Sequence, residues 1–93
     1  MTRAIHLHES DPVAVLLDPA TLGESLIVGS QVVRATSDVP MGHKIALREI
    51  LQGEDIRRYG EVIGHATQHI RAGEHVHTQN LVGNRLSLEA SND

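Results

Sequence analysis

Two histidines separated by one residue form the arrangement in this sequence with the clearest chemical potential. His75 and His77 lie in the segment 73–80, GEHVHTQN. On a β-strand, residues two apart share a face, so both imidazoles would project to one side while Val76 turns to the core. Two neutral imidazoles on one face can bind a divalent metal such as Zn, Fe, Ni or Cu. The same spacing also fits an exposed polar strand face, and the pair alone does not separate these interpretations.

The histidine pair follows a turn whose sequence pattern is repeated. The segments VPMGHKI (39–45) and IRAGEHV (70–76) align at an offset of 31 residues, and LGESL (22–26) is a weaker third copy. Each copy has a glycine followed three positions later by an aliphatic residue. The glycine provides a backbone conformation closed to other residues, and the aliphatic side chain anchors the strand that leaves the turn. We therefore expect a duplicated turn-and-strand unit.

His43 and Lys44 follow the glycine of the first copy, and Lys44 aligns with His75. If the two copies pack about a local pseudo-twofold axis, Lys44 and His75 approach one groove from two sides. There the compact ammonium group of Lys44 would suit a substrate carboxylate. A solvated surface lysine is the alternative interpretation.

The other histidines carry weaker signals. His6 and His8 have the same spacing as the first pair but no turn motif beside it, which favours an exposed strand face. His65 and His69 are four residues apart in a region of strand and turn, where they need not share a face. The sequence also has no Ser-His-Asp order, no phosphate-binding glycine loop and no dinucleotide fingerprint.

The elements that must position these residues are predicted to be short strands. Short apolar or alternating segments are separated by turn clusters at close intervals, which is typical of an all-β domain. The predicted strands cover 3–8, 13–17, 25–28, 31–36, 43–47, 56–59 and 62–67, and residues 70–78 are predicted to form a turn followed by a further strand. We expect Ile5 and Leu7 on the core face of the first strand and 13–17 buried on both faces. Residues 48–52 fit one helical turn that ends at Gly53.

The composition limits the classes of function. The chain has 93 residues, no Phe, no Trp and no Cys, and a formal net charge of −4. The one aromatic residue, Tyr59, cannot form a stacking surface alone, and no basic patch is visible, which argues against nucleic-acid binding. The lack of cysteine excludes disulfides and thiolate metal sites. No segment has the apolar length of a signal peptide or membrane span, so we expect a cytoplasmic protein without membrane contact.

The length predicts a single domain, 1–93, in which the polar end, 86–93, is a flexible tail. A domain of this size has too few residues to build a deep catalytic cleft beside its core. We therefore expect a partner chain to supply part of any active site. We also expect an exposed apolar edge, through which the isolated chain binds its partner or forms a homo-oligomer.

Several segments together resemble the N-terminal SAF domain of the altronate/galactarate dehydratase family. They are GHKIAL (42–47), Tyr59-Gly60 with Ile63-Gly64, AGEHVHT (72–78) and Asn80. The resemblance extends from about Ile5 to Leu81. It implies a β-clip fold, an all-β structure of short strands with a long bent hairpin and at most one or two short helical turns.

The resemblance implies a small subunit that works with a separate, large catalytic subunit. The reaction would be β-elimination of water from an altronate- or galactarate-like sugar acid, which gives a 2-keto-3-deoxy acid. A divalent metal, iron or manganese, would assist. Two alternatives remain open: the small subunit of a sulfolactate sulfo-lyase, and a non-enzymatic SAF module that binds a sugar acid or assists assembly.

The resemblance also implies roles for individual residues. His75 and His77 would bind the metal, and His43, Lys44 and Asn80 would contact the substrate. Many relatives have a third histidine where this sequence has Gln79. Because Gln is a weak ligand for the metals that imidazole favours, this difference speaks against a three-histidine metal site.

Overall fold

The computed structural model describes residues 2–6 and 8–83, and every regular element in them is a β-strand. The strands are β1 (Ala4–Ile5), β2 (Val13–Leu16), β3 (Ser25–Val28), β4 (Gln31–Arg34), β5 (Lys44–Ala46), β6 (Asp55–Arg58), β7 (Glu61–Ala66), β8 (His75–Val76) and β9 (Leu81–Gly83). The described residues include no helix with the length and hydrophobicity to cross a membrane. The predicted flexible tail, 86–93, lies outside the described residues. The all-β prediction is confirmed.

The strands form three antiparallel sheets. The central sheet has the order β1–β2–β5–β8, and the other two are the hairpin β3–β4 and the three-stranded sheet β6–β7–β9. In the central sheet, Ile45 lies opposite Ala14 on one side and opposite His75 on the other. The strand that follows Gly42 therefore pairs with the strand that follows Gly73. This pairing brings the two sequence copies together.

The central sheet lies between two apolar clusters. On β2, Ala14 and Leu16 belong to the first cluster and Val13 belongs to the second. On β5, Ile45 belongs to the first cluster and Ala46 to the second. Because successive side chains on a strand point to opposite faces, both faces of this sheet are buried. The prediction that residues 13–17 form a strand buried on both sides is thus confirmed for β2.

The described residues contain four copies of the turn motif, whereas the sequence alone shows two clear copies and a weaker third. The four segments are 20–26, 39–45, 50–56 and 70–76. Their glycines have φ values of 86° (Gly23), 85° (Gly42), 86° (Gly53) and 91° (Gly73), in the region that L-residues rarely adopt. The turns pack in two pairs, through antiparallel bridges between Ala20 and Val39 and between Ile50 and Ile70.

Two turns and the hairpin between them make one repeat. The first repeat (20–45) contains β3 and β4, and the second repeat (50–76) contains β6 and β7. In the second hairpin, Arg57 pairs with Val62 but Ile56 pairs with Gly64, so one extra residue forms a β-bulge. This insertion explains why the two repeats align at an offset of 30 before the bulge and 31 after it.

Asp11 connects the beginning of the chain to the second hairpin. Its side chain is buried, and its two carboxylate oxygens accept hydrogen bonds from the backbone N–H groups of Tyr59 (2.8 Å) and Gly60 (2.9 Å). Tyr59 has a φ of 58°, the only positive value at a non-glycine among the described residues. The carboxylate satisfies the two N–H groups at the tip of the hairpin and thereby stabilises this turn.

Two details of the sequence-based prediction are wrong. Residues 48–52 form no helical turn, because Ile50 instead makes a bridge to Ile70 and the following residues start the third turn. In β1, Ala4 packs on the first cluster while Ile5 is 36% exposed, so the expected core face is reversed. The short β1 pairs with β2 through two residues only, and alternation over so few residues is a weak guide to burial.

We predict that Gly73→Ala destabilises the protein far more than Gly53→Ala. A Cβ at Gly53 would meet nothing within 4 Å, whereas one at Gly73 would lie 1.9 Å from the carbonyl oxygen of Arg34. Gly53→Ala should therefore cost only the left-handed strain, about 1–2 kcal/mol. Gly73→Ala should lower the free energy of unfolding by more than about 3 kcal/mol. Denaturant titrations of both variants measure the difference, and equal losses would contradict the close approach at Gly73.

Candidate functional site

Three histidine rings stack at the junction of the two repeats. The ring centroids are 4.2 Å apart for His43 and His77, 5.0 Å for His43 and His75, and 5.6 Å for His75 and His77. His43 Nδ1 lies 2.7 Å from His75 Nε2, and one nitrogen from each ring lies within 4.8 Å of the other two. All three side chains are partly buried. Three imidazoles that converge in this way form a candidate metal site.

The position of His43 has a structural role in the other three turns. There a glutamate follows the turn glycine, and its Oε1 accepts a hydrogen bond from the backbone N–H three residues earlier. The pairs are Glu24 with Thr21 (3.0 Å), Glu54 with Leu51 (2.9 Å) and Glu74 with Arg71 (2.8 Å). In the remaining turn, Pro40 has no N–H to donate, and the residue after the glycine is His43. The imidazole is therefore free of the turn and contacts the other two histidines.

His75 and His77 are held by the backbone contacts of a buried amide. Asn80 is 1% exposed; its Oδ1 accepts from the His77 N–H (3.0 Å) and its Nδ2 donates to the His75 carbonyl (2.8 Å). The segment after β8 consequently turns at 77–80 instead of continuing as a strand. The turn keeps both rings on the same side. The extended strand predicted for these residues ends at Val76.

The surroundings of the cluster favour neutral imidazole at His75. Partial burial lowers the pKa of His75, and the nearby charges of His43, His77 and Lys44 lower it further. Lys44 is itself half-buried, and burial together with the charge of Arg58 lowers the pKa of its ammonium group. A neutral ring is the form that binds a metal.

The structure thus brings the three predicted histidines to one place, whereas Lys44 lies opposite Val76 and so on the other face of the sheet from His75. His43, His75 and His77 form the cluster, and Lys44 acts on it electrostatically. Asn80 supports the cluster from the buried side, and a contact between Asn80 and substrate stays a prediction. The argument against a three-histidine group does not hold, because the third ring comes from His43. Gln79 instead donates to the His75 carbonyl at 3.1 Å.

Sequence reasoning did not place His43 among the possible metal ligands. His43 is 32 residues from His75, and only the pairing of β5 with β8 brings the two together. A signal was present in the sequence: three copies of the turn have Gly-Glu, and the copy with Pro40 has Gly-His. Aligning all four copies would have shown this exception.

An all-β domain built from two repeats, with histidines at their junction, matches a described family. The family is the altronate/galactarate dehydratase SAF domain, and the match covers residues 2–84. The chain belongs to this family.

Curated relatives name the enzymes in which similar segments occur. The altronate dehydratase of Bacillus subtilis is 38% identical over 89 residues, which are 96% of this chain and 18% of that protein. The altronate dehydratase of Escherichia coli is 40% identical over 85 residues, 91% of this chain and 17% of that protein. The (2R)-sulfolactate sulfo-lyase subunit alpha of Chromohalobacter salexigens is 44% identical over 43 residues, 46% of each chain. This chain therefore spans less than a fifth of the dehydratases that it matches.

We predict that Asn80→Ala destabilises the protein and disorders the histidine rings. The substitution leaves the His77 N–H and the His75 carbonyl without their buried partner, which should cost about 2–3 kcal/mol of unfolding free energy. Gln79→Ala is the matched control, because its exposed amide also bonds to the His75 carbonyl and its loss should cost less than about 0.5 kcal/mol. Thermal unfolding and the imidazole NMR signals of both variants provide the measurement. A loss at Gln79 equal to that at Asn80 would contradict the supporting role of Asn80.

Proposed function

We propose that this chain is the small, SAF-domain subunit of a metal-dependent sugar-acid dehydratase. With a larger catalytic subunit, it eliminates water from an altronate- or galactarate-like acid and gives a 2-keto-3-deoxy acid. The convergence of His43, His75 and His77 carries the proposal, because these residues could hold a metal ion at the junction of the repeats. The family and the two altronate dehydratases support the class of reaction.

The three histidines offer the type and number of ligands that a divalent metal needs, and binding would draw their nitrogens closer together. Their ligand nitrogens lie within 4.8 Å of one another, and nitrogens that share a metal at bond lengths near 2.0–2.1 Å lie roughly 3 Å apart. A set of imidazoles suits iron better than manganese, which prefers oxygen ligands. We therefore propose iron as the metal and retain manganese as the alternative.

The residues of this chain would hold the metal and orient the acid beside it. When bound, the metal would polarise the carboxylate and hydroxyl groups of the sugar acid. A neutral His75 ring can bind a metal directly, whereas a protonated ring would first have to lose a proton. The charge of Lys44 contributes to the low pKa of His75, and the same positive charge would favour an anionic substrate near the cluster. In this proposal the residues that remove the α-proton and protonate the leaving group belong to the large subunit.

The chain exposes an apolar surface that a partner can cover. Ile27 and Val32 lie opposite each other on the first hairpin and are 53% and 66% exposed. The aliphatic surface of this pair meets the expectation of an exposed apolar edge. Because the matched dehydratases are more than five times as long as the matched segment, we propose that their remaining part corresponds to the partner.

The small subunit of a sulfolactate sulfo-lyase is the second candidate. One observation favours it: the sulfo-lyase relative is itself described as a subunit, and the match covers 46% of its length instead of less than a fifth. The same histidine cluster would then serve the elimination of sulfite instead of water.

We predict that each of the variants His43→Ala, His75→Ala and His77→Ala weakens binding of Fe²⁺ by more than about 100-fold. Losing a ligand should cost at least as much as losing a hydrogen-bond partner of a ligand, which costs about 10–100-fold. His69→Ala is the control, because His69 is exposed and paired with Glu49 at 2.6 Å. Anaerobic calorimetric titration with Fe²⁺, and parallel titrations with Mn²⁺ and Zn²⁺, measure the affinities. Unchanged affinity in all three variants would remove the metal from this proposal.

We predict that the chain and its large subunit together, but neither alone, form 2-keto-3-deoxy acids. The large subunit is sought in the reading frame next to that of this chain, and the pair is assayed with Fe²⁺ or Mn²⁺ on a panel of hexonates and hexarates. Sulfite release from sulfolactate is measured in parallel. Sulfite release without dehydration would favour the second candidate. A gene with no large-subunit neighbour would favour the non-enzymatic binding module.

A further inference from the structure

A cleft lined by residues of polar types opens beside the histidine cluster. It has a volume of about 350 Å³ and is lined by Thr36, Ser37, Arg71, Glu74, His75 and Gln79. This volume lies at the lower end of the range for small-molecule sites, about 300–1,000 Å³, and suits a six-carbon molecule. We propose that the cleft binds a polyhydroxy carboxylate, with Arg71 on the carboxylate and the hydroxyl and amide side chains on the sugar hydroxyls. The inference takes its substrate class from the proposed function and adds the residues that recognise it.

The turn in which Arg71 lies does not need a charged side chain. Thr21, Pro40 and Leu51 occupy the equivalent position in the other three turns, and all four turns have the same backbone hydrogen bonds around their glycines. Arg71 contributes its backbone N–H to Glu74, as Thr21 and Leu51 do for their glutamates. Its guanidinium group is therefore unexplained by the fold.

The charge of Arg71 is also available to a ligand. Among residues 2–6 and 8–83, the ion pairs join Arg3 to Asp18, Arg48 to Glu54 and His69 to Glu49, and none includes Arg71. Arg34, Arg57 and Arg58 are likewise in none of these ion pairs, so what distinguishes Arg71 is its place in the lining of the cleft. Arg71 lines the cleft together with Glu74, and its planar guanidinium group suits the bidentate geometry of a ligand carboxylate.

The rest of the lining suits hydroxyl groups. The hydroxyls of Thr36 and Ser37 donate to the carbonyls of Gly73 and Asp38, and the amide of Gln79 donates to the carbonyl of His75. The oxygen atoms of these three side chains can still accept hydrogen bonds from the hydroxyls of a ligand. Glu74 uses Oε1 for the turn, and a carboxylate can accept further hydrogen bonds from sugar hydroxyls. This mixture of one cation and several donor–acceptor groups favours a hydroxylated acid over a fatty acid or a phosphate-rich ligand.

The two sides of the cleft come from different repeats and are held together by the backbone. Thr36 belongs to the first repeat, and its N–H donates to the carbonyl of Gly73 in the second repeat at 3.0 Å. His75 lines the cleft and is also a member of the histidine cluster. A ligand anchored on Arg71 can therefore extend along the cleft to the cluster, where the proposed metal would act on it.

The test uses three six-carbon probes and the metal-free chain. Galactarate carries carboxylates and hydroxyls, adipate carries only the carboxylates, and galactitol carries only the hydroxyls. Each probe is titrated into isotope-labelled full-length chain in the presence of a chelator, and backbone amide shifts are followed by NMR. We expect galactarate to shift the amides of residues 36, 37, 71–75 and 79 and to bind at least about tenfold more tightly than either analogue.

The variants separate a built site from general attraction of anions. Arg71→Gln keeps the backbone N–H of the turn and should weaken galactarate binding at least about tenfold, while Gln79→Ala should weaken it less. Arg57→Gln is the control for charge, because Arg57 is exposed, lies on the second hairpin and does not line the cleft. Equal losses in Arg71→Gln and Arg57→Gln, or shifts elsewhere on the protein, would overturn the inference.

The galactarate titrations test the cleft separately from the proposed metal site, because they use the metal-free chain. Galactarate binding at the cleft in a chain that fails to bind Fe²⁺ would support this inference and remove the metal from the proposed function. Conversely, Fe²⁺ binding at the histidines with no galactarate shifts, in either the metal-free or the metal-loaded chain, would overturn the cleft and leave the metal site standing.

Discussion

The contact between Gly73 and the carbonyl group of Arg34 is the constraint on which the site depends. The two repeats meet there with their backbones in direct contact, since even a methyl group at Gly73 would lie 1.9 Å from that oxygen. The contact fixes Thr36 against the turn that carries Arg71. His75 lies two residues after Gly73, so the same contact also positions the histidine cluster. The cleft and the histidine cluster thus both depend on the close approach of the two backbones at Gly73, which glycine alone permits.

Repetition of one turn explains how so short a chain can provide a site. The turn occurs four times, so the features that all four copies share show what its fold requires. These features are a glycine with positive φ and the backbone hydrogen bonds around it. Anything beyond this minimum is available for chemistry. Pro40 removes the donor that a glutamate would satisfy and so releases the position of His43, and Arg71 adds a charge that the turn does not use. The functional residues are the departures from the repeat.

The sequence was a good guide to the strands and a partial guide to the site. Short apolar segments between turn clusters predict β2 and the two hairpins. They do so because the pattern of apolar and polar residues along a strand shows whether one or both of its faces are buried. The turn at 50–56 was missed because its leucine and glutamine also fit a helical turn. Pairing between distant strands decides which histidines meet, and no local pattern encodes that Ile45 lies opposite His75. The role of Asn80 likewise depends on burial that only the folded chain provides.

The carboxylate of Asp11 has a consequence for the order of folding. It caps a hairpin tip that lies 48 residues further along the chain, so the tip acquires its two acceptors only after the beginning of the chain has docked. The two hairpins differ in this respect, because the first ends in Gly29 and Ser30 and glycine accepts a positive φ without help. We therefore expect the first hairpin to form before the second, because only the tip of the second hairpin needs the long loop from Asp11 to Tyr59 to close.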